Sequence, residues 1–142
     1  MKHKLIFICT GNSCRSQIAE GILKSEANNR FDVFSAGSHP SRLHPASVSV
    51  MLEWGIDISD HKSESINNYI DKNIDIIITV CDNANQSCPN FPGAKIRLHW
   101  SIKDPFHGWN NSKEDLHPYR LARDELKKRI DKLLSLKDIE PF

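Results

Sequence analysis

The stretch LIFICTGNSCRSQIAEG, residues 5–21, joins an apolar run to a small polar turn and then to an amphipathic segment. Leu5–Cys9 predicts a short buried strand, and Ser16–Asn28 predicts a helix because its apolar side chains recur at helical spacing. A turn of this kind directs several backbone N–H groups to one point, where the helix dipole adds positive potential. The stretch therefore predicts an α/β fold with an anion-binding turn.

The rest of the chain alternates between predicted strands and helices. Further strands are predicted at Asp32–Ser35, Ile74–Val80 and Lys95–His99, and helices at Pro45–Trp54, Ser63–Tyr69 and Pro118–Leu136. The inward face of the last helix is predicted to carry Leu121, Leu126, Ile130, Leu133 and Leu134. Residues 76–78 are all isoleucine, so both faces of that strand are expected to be covered. Strands separated by helices predict a parallel, doubly wound α/β sheet with right-handed crossovers.

Length and composition exclude several classes of protein. The chain has 142 residues, which fits one domain spanning residues 1–142. A net charge of +1 gives no support for a nucleic-acid or membrane-surface partner. No apolar run approaches a membrane span, and the run after Met1–Lys4 is too short for a secretory signal. We therefore expect a cytosolic protein whose four cysteines are reduced, working thiols rather than structural disulfides.

Chemically suggestive residues follow three of the predicted strands. Cys9–Ser16 follows the first strand, Cys81–Cys88 the third, and Asp104 the fourth. In open parallel sheets, ligands bind outside the carboxyl ends of the strands. The three segments are therefore expected to meet in one active site.

The first of these segments is suited to hold a tetrahedral oxyanion. The predicted binding residues are Thr10, Gly11, Asn12, Ser13, Cys14, Arg15 and Ser16. Arg15 supplies a planar fork for two oxygens, and Ser16 is expected to cap the helix and to donate to the Cys9 sulfur. Positive potential should lower the pKa of Cys9 below the free value of about 8.5 and make it a nucleophile. The alternative is a buried cysteine beside a surface arginine, but the strand, glycine and helix around the motif favour function.

These residues carry a resemblance to a known family. CTGNSCRS, residues 9–16, after an apolar strand resembles the signature of the low-molecular-weight protein tyrosine phosphatase superfamily, which includes the thioredoxin-coupled arsenate reductases. The similarity continues through Ser35–Gly37, Gly55–Ile58, Ile74–Val80 and Asp104–Pro105. It implies one three-layer domain in which helices cover both faces of a four-stranded parallel sheet. It also implies that Cys9 is the nucleophile, Arg15 the anion clamp and Asp104 the general acid, although Asp-Pro is also common in turns.

A stretch with two cysteines, CDNANQSCP at residues 81–89, distinguishes an arsenate reductase from a phosphatase within this superfamily. Its polar residues offer nothing to a core, so we expect a mobile loop. The resemblance implies a relay in which Cys9 attacks arsenate, Cys81 attacks Cys9, and Cys88 attacks Cys81. The resulting Cys81–Cys88 disulfide would be reduced by thioredoxin. A glutaredoxin–glutathione donor stays open, although a protein-borne disulfide favours the dithiol thioredoxin.

Other interpretations compete for the same residues. Cys81 and Cys88 would suit a zinc site poorly at this spacing, and they would also be compatible with packing and an incidental surface thiol. Phe106 and Trp109 follow Asp104 where the phosphatases of the superfamily line a slot for an aryl ring, so a phosphotyrosine phosphatase is the alternative function. A third possibility is a non-catalytic module that only senses anions or redox state.

The resemblance also bears on a cation and on Cys14. Some arsenate reductases of this type hold potassium beside the turn. Asn12, Glu20 and Ser35 match their ligands, but Glu64 replaces an aspartate and Lys62 lies nearby, so we expect an ammonium to replace the ion. Cys14 fits either chemistry, as a backbone donor or as the partner of a protective disulfide with Cys9. We expect no cofactor and no bound metal, a monomer, and seven histidines with surface or packing roles.

Overall fold

The computed structural model describes residues 2–109 and 116–136. The elements follow one another as β1 (His3–Cys9), α1 (Arg15–Ala27), β2 (Phe31–Gly37), α2 (Pro45–Leu52), a 3-10 helix (Ile66–Asn68), β3 (Ile76–Thr79), α3 (Asp82–Ser87), β4 (Ile96–His99) and α4 (His117–Leu134). Every strand predicted from the sequence is present, and so are the helices predicted to begin at Ser16, Pro45 and Pro118, with ends that shift by a few residues. Such shifts are expected because the ends of helices and strands fray. The helix predicted over Ser63–Tyr69 is reduced to a 3-10 helix of three residues.

The four strands form one parallel sheet in the order β2-β1-β3-β4. Its register places Cys9 opposite Gly37 and Ile8 opposite Thr79. The strand order changes direction at β1, so the chain leaves β1 and β3 at a topological switch point. The segments after these two strands therefore emerge side by side, as the sequence predicted.

The core lies on both sides of the two central strands. All four side chains of residues 5–8 are fully buried, and those of residues 76–78 are nearly so. A strand buried on consecutive residues must be covered on both faces, which confirms the interpretation of the isoleucine run. Helix α1 packs against β1 and β2 and also against α4. The result is an α/β domain with a four-stranded parallel sheet, as predicted.

Residues 81–88 differ from the sequence-based prediction, which was a mobile loop. They contain the short helix α3, whose N-cap residue is Cys81 and whose C-cap residue is Cys88. The Cys81 sulfur accepts a hydrogen bond from the Ala84 N–H at 3.4 Å, and the Ala84 side chain is fully buried. The sequence missed this helix because one buried alanine gives no apolar periodicity.

Helix α4 also corrects one prediction. Leu126, Ile130 and Leu133 are buried as expected, whereas Leu121 is 54% exposed and points to solvent. Tyr119 and Ala122 occupy the inward positions of that first turn instead. The prediction was therefore wrong about Leu121, because near the start of the helix a tyrosine and an alanine rather than this leucine face inward. Among the described residues, no helix is long and apolar enough to cross a membrane.

Candidate active site

A cavity of about 210 Å³ opens at the carboxyl end of β1, and neither Cys81 nor Cys88 lines it. The residues that line it are Cys9, Thr10, Gly11, Ser13, Cys14, Arg15, Ser41, Asp104, Phe106 and Trp109. Five of the seven binding residues predicted in the turn line the cavity directly. The other two, Asn12 and Ser16, lie behind the cavity and shape the turn.

Cys9 lies at the base of the cavity and is 3% exposed. Its sulfur is 2.9 Å from the Ser16 hydroxyl and accepts a hydrogen bond from the Asn12 backbone N–H at 3.2 Å. Burial raises the pKa of the Cys9 thiol, while the Ser16 hydrogen bonds and the charge of Arg15 act in the opposite direction. The lowered pKa expected from the sequence is therefore not found, because burial dominates.

Ser16 does not cap helix α1, contrary to the sequence-based expectation. The N-cap residue is Cys14, and its side chain makes no capping hydrogen bond. Ser16 lies in the first helical turn, where its hydroxyl contacts the Cys9 sulfur and accepts a hydrogen bond from the Asn12 amide at 2.8 Å. Its role in the structure is to contact the Cys9 sulfur rather than to begin the helix.

Asn12 holds the turn in shape from behind. It is fully buried and has a φ of 50°, in the left-handed region that asparagine tolerates better than most residues. Its backbone oxygen accepts hydrogen bonds from Ser63 and Gln17, and its side-chain oxygen accepts one from the Glu64 N–H at 2.8 Å. These bonds fix the backbone so that the Asn12 N–H points at the sulfur.

A second segment, residues 38–47, supports the turn, although no sequence motif predicted it. The Ser13 hydroxyl lies 2.8 Å from the Ser41 hydroxyl and also donates to the Arg42 carbonyl. The Ser13 carbonyl accepts hydrogen bonds from the His44 N–H at 3.2 Å and from the Ser47 hydroxyl at 3.0 Å. Small polar residues without a motif carry no local pattern, so only the tertiary contacts reveal this role.

Arg15 and Asp104 come together across the mouth of the cavity. The Arg15 guanidinium donates to the Ile102 carbonyl at 3.0 Å, and it lies 3.6 Å from the Asp104 carboxylate. Arg15 is largely buried, whereas the Asp104 side chain is 56% exposed. The carboxyl group therefore reaches the cavity from a loop that the guanidinium itself tethers. This arrangement suits an anion clamp next to a proton donor.

The two further cysteines of the predicted relay, Cys81 and Cys88, lie at the two ends of α3. Cys81 is buried, and its sulfur is 3.2 Å from the Thr10 hydroxyl in the turn. Cys88 is only partly buried. The first thiol of the pair is therefore buried against the turn, and the second is partly accessible.

Cys14 is a buried thiol that lines the cavity. Burial raises its pKa to about 12, so it stays protonated at neutral pH. A protonated thiol is a poor nucleophile. Burial raises the pKa of Cys9 as well, so the protonation state alone does not separate the two thiols. The hydrogen bonds from Ser16 and Asn12 do separate them, because they reach only the Cys9 sulfur, and they favour Cys9 as the attacking sulfur.

Aromatic rings form one wall of the cavity. Phe106 and Trp109 lie edge to face with ring centroids 5.2 Å apart, and both remain partly exposed. The His44 ring stacks on Trp109 at 4.8 Å, and its Nε2 donates to the Gly108 carbonyl at 2.7 Å. The His44 Nδ1 accepts a hydrogen bond from the Ala46 N–H, so the ring is the neutral Nε2–H tautomer. His44 thus has the packing role predicted for the histidines.

The residues expected to surround a cation form hydrogen bonds with one another and with a lysine instead. The Asn12 amide nitrogen donates to Ser35 at 3.0 Å, and Ser35 donates to Glu20 at 2.5 Å. The other Glu20 oxygen accepts a hydrogen bond from the Lys24 ammonium at 2.5 Å. Lys62, the cation that the sequence suggested, is exposed. These residues do not fit a potassium ion, and Lys24 rather than Lys62 supplies the positive charge.

Gly37 allows the close approach of β2 to the turn, and alanine there is expected to disturb both. An added Cβ would lie 2.5 Å from the Thr10 carbonyl oxygen and 3.0 Å from the Asn12 nitrogen. Such contacts with backbone atoms require a shift of the turn. We expect Gly37→Ala to lower the free energy of unfolding by about 1–3 kcal/mol and to weaken phosphate binding at least about tenfold. Urea unfolding and calorimetric titration with phosphate measure the two effects.

Gly21→Ala is the matched control for this prediction. Its Cβ would lie 2.9 Å from Ile58 Cγ2, far from the turn, so stability should fall without loss of phosphate affinity. If both variants bind phosphate as tightly as the wild type, the close approach at Gly37 has no role in shaping the turn.

Comparison with known proteins places this site in a family. The family model for low molecular weight phosphotyrosine protein phosphatases matches residues 4–140, nearly the whole chain. The chain belongs to this family. Family membership agrees with the geometry above, in which the turn after β1 surrounds a cysteine and an arginine.

Relatives within the family include arsenate reductases. An arsenate reductase from Halalkalibacterium halodurans is 40% identical over 129 residues, which cover 91% of this chain and 93% of the relative. The solved structure of an arsenate reductase in the phosphate binding state has a TM-score of 0.76 and 34% identity, covering 95% of this chain and 98% of that one. A thioredoxin-dependent arsenate reductase from Corynebacterium glutamicum has a TM-score of 0.72 and 29% identity, covering 94% of this chain and 60% of that one.

Proposed function

We propose that this protein is an arsenate reductase that uses Cys9, Cys81 and Cys88 in sequence and thioredoxin as its reductant. The observation that carries the proposal is the position of Cys81, which contacts Thr10 of the oxyanion-binding turn beside Cys9. A phosphatase needs one thiol here, whereas the reduction of arsenate needs electrons from a second. The relatives named as arsenate reductases support the same chemistry.

The reaction begins with arsenate in the turn formed by residues 10–16. Backbone N–H groups and the Arg15 guanidinium hold its oxygens. Cys9 loses its proton to the bound dianion, which compensates for the raised pKa of this thiol. Its sulfur then attacks arsenic, and an arsenic oxygen leaves as water with a proton from Asp104. The product is a Cys9–arsenic(V) adduct.

Cys81 then reduces arsenic. Its sulfur attacks Cys9, so that a Cys9–Cys81 disulfide forms and the sulfur–arsenic bond breaks with its electron pair on arsenic. Arsenic(V) is thereby reduced and leaves as arsenite(III), and the two electrons come from the thiols of Cys9 and Cys81. The contact with Thr10 holds Cys81 on the side of the turn where this attack is made.

Transfer of the disulfide to the surface requires α3 to open. Cys81 and Cys88 cap opposite ends of the helix, and seven residues at a helical rise separate their Cα atoms by about 10 Å. A disulfide needs Cα atoms within about 7 Å. Cys88 can therefore attack Cys81 only after the helix unwinds, which releases Cys9 as a thiol and leaves a Cys81–Cys88 disulfide.

Thioredoxin is the proposed electron donor. A disulfide between two protein cysteines is reduced by a dithiol through exchange, and the thioredoxin-dependent relative uses this donor by name. This proposal also places the protein in the reducing cytoplasm, as a monomer without a cofactor. Arsenate is the proposed substrate because the turn suits a tetrahedral oxyanion.

One coupled assay tests the function. Arsenate, thioredoxin, thioredoxin reductase and NADPH are supplied to the full chain, and NADPH consumption is followed. We expect sustained consumption that requires both arsenate and thioredoxin, with one arsenite formed for each NADPH. Hydrolysis of an aryl phosphate without arsenate-dependent consumption of NADPH would instead assign the protein as a phosphatase.

Phosphatase activity is the second candidate, and the aromatic wall favours it. Phe106 and Trp109 stand beside the turn with exposed ring surface, which suits a planar aryl group. The matching family is described by its phosphotyrosine phosphatases. In this reaction, Cys9 takes the phosphoryl group and water then hydrolyses the phosphocysteine, so neither Cys81 nor Cys88 takes part.

Potassium is expected to leave the rate of arsenate reduction unchanged within about twofold. The Lys24 ammonium already pairs with Glu20, and the Asn12 amide presents its donor side to Ser35. Replacing sodium by potassium at constant ionic strength should therefore add no interaction to the active site. A large increase in rate with potassium would contradict this prediction.

Two lysine variants test which ammonium group supports the active site. Lys24→Met should reduce activity because Glu20 loses its partner and the chain through Ser35 to Asn12 loosens. Lys62→Met is the matched control, since Lys62 is exposed and its backbone oxygen, which accepts from Gln17, is retained. Equal losses in both variants would show that Lys24 has no special role.

A further inference from the structure

Helix α3 is too short to be stable by itself. It spans the six residues Asp82–Ser87, whereas isolated helices of fewer than about 12 residues are marginal in water. Its stability must come from contacts with the rest of the protein. The buried Ala84 side chain provides one contact, and two side chains of the edge strand β4 provide two more.

The first β4 contact binds the N-terminal end of α3. His99 Nε2 donates to the Asp82 carboxylate at 2.7 Å, and His99 Nδ1 lies 2.8 Å from the Thr79 hydroxyl. Hydrogen bonds from His99 and then from Ser101 lower the pKa of Asp82, so this residue is a carboxylate at neutral pH. A negative charge in the first turn also interacts favourably with the helix dipole.

The second β4 contact binds the C-terminal half of α3. Arg97 donates to the Asn85 backbone carbonyl at 2.7 Å, and the Thr79 hydroxyl donates to the Asn85 side chain at 3.1 Å. A cation that satisfies a carbonyl near a helix C-terminus stabilises the last turn. Opposite ends of α3 are therefore held by neighbouring residues of one strand.

We propose that His99 and Arg97 form a clamp, the β4 clamp, that holds α3 closed and sets the rate at which Cys88 reaches Cys81. This inference rests on the proposed function and adds positioning residues to it. The clamp consists of the His99–Asp82 and Arg97–Asn85 contacts. Neither side chain lines the cavity that contains Cys9.

The β4 clamp acts on one step of the relay and not on the other. In the closed helix, Cys81 keeps its contact with Thr10 and is placed to attack Cys9. The next step, in which Cys88 attacks Cys81 and Cys9 leaves as a thiolate, requires the helix to open. Loosening the clamp should therefore speed the second exchange while the first stays unchanged.

His99→Phe and Asp82→Ala test the clamp. The Asp82 side chain is 69% exposed and the His99 side chain 28%. Phenylalanine keeps the ring and the strand propensity of His99 while it removes both ring nitrogens. Arg97 is less suitable because burial raises the pKa of Cys88 and the Arg97 charge partly opposes that rise, so the loss of Arg97 would also change the Cys88 thiol. Asp131→Ala is the control, since this exposed carboxylate pairs with Lys127 on α4, away from the relay.

The first measurement separates the two exchanges in a single turnover. Reduced protein is mixed with arsenate without thioredoxin, quenched by alkylation at intervals, and its disulfides are mapped by mass spectrometry. We expect each variant to convert Cys9–Cys81 into Cys81–Cys88 roughly three- to tenfold faster than the wild type. The double variant should be no faster than Asp82→Ala alone within about twofold, because the two residues act as a pair.

The second measurement does not depend on arsenate. Hydrogen exchange of the backbone amides in residues 83–88 of the reduced protein should be faster in His99→Phe by a similar factor. Unchanged or slower exchange and transfer in His99→Phe and Asp82→Ala would overturn the clamp. Faster hydrogen exchange in a protein that forms no disulfide with arsenate would support the clamp and refute the proposed function.

Discussion

Cys88→Ser is expected to stop sustained arsenate reduction after one turnover. Cys9 and Cys81 can still form a disulfide and release one arsenite, because Cys81 contacts the turn beside Cys9. Without Cys88, this disulfide stays beside buried residues where thioredoxin cannot reach it. We expect NADPH consumption in the coupled assay to fall by at least about a hundredfold, with one equivalent of arsenite formed in the first burst.

Cys81→Ser should differ from Cys88→Ser in the amount of arsenite that is formed in the first burst. Serine cannot attack the Cys9 adduct to form a disulfide, so no arsenite should be released above the level of the uncatalysed reaction. Both variants should hydrolyse an aryl phosphate at close to the wild-type rate, which serves as the internal control for an intact cavity. Sustained turnover by Cys88→Ser would show that the disulfide does not leave through this residue.

Asp104→Asn is expected to have the second large effect, and the effect should depend on the leaving group. The Asp104 carboxyl group reaches the cavity beside Arg15, where it can give a proton to a leaving oxygen. Loss of general acid catalysis lowers rates by roughly 10²- to 10⁴-fold. We expect a loss of this size for an alkyl phosphate, and a much smaller one for a nitrophenyl phosphate, whose leaving group needs no proton.

The leaving-group comparison separates catalysis from structure. Asp104 also forms an ion pair with Arg15 and accepts a hydrogen bond from the Phe106 N–H. Damage to these contacts would slow both substrates equally and would raise KM. Asp124→Asn is the matched control, because this carboxylate has similar exposure but lies on α4 outside the cavity. Equal losses for both esters would contradict the role of Asp104 as acid.

Much of the fold could be predicted because its signals are local. The consecutive isoleucines of β3 show a strand covered on both faces, and the apolar run before Cys9 shows another. The alternation of strands and helices then restricts the sheet to parallel pairing. Parallel pairing in turn brings residues 9–16, 81–88 and 104 to one edge, so the members of the site could be named before their geometry was known.

Helix α3 could not be predicted because its stability is not local. Its polar residues give no apolar period, and its contacts come from Ala84 in the core and from His99 and Arg97 on β4. Likewise, Lys24 rather than Lys62 pairs with Glu20 because of helical spacing on α1. In neither place does the sequence pattern alone show which residue makes the contact.

By itself, the sequence determined the order of strands and helices and the identity of the thiols, arginine and carboxylate at the carboxyl edge. These properties follow from side-chain periodicity and from turn chemistry, which act over a few neighbouring residues. Only the tertiary structure decided that burial raises the Cys9 pKa, that Ser41 and His44 support the turn, and that the cysteine pair is joined by a helix. Desolvation and long-range hydrogen bonds depend on partners far apart in the chain, and no local pattern encodes them.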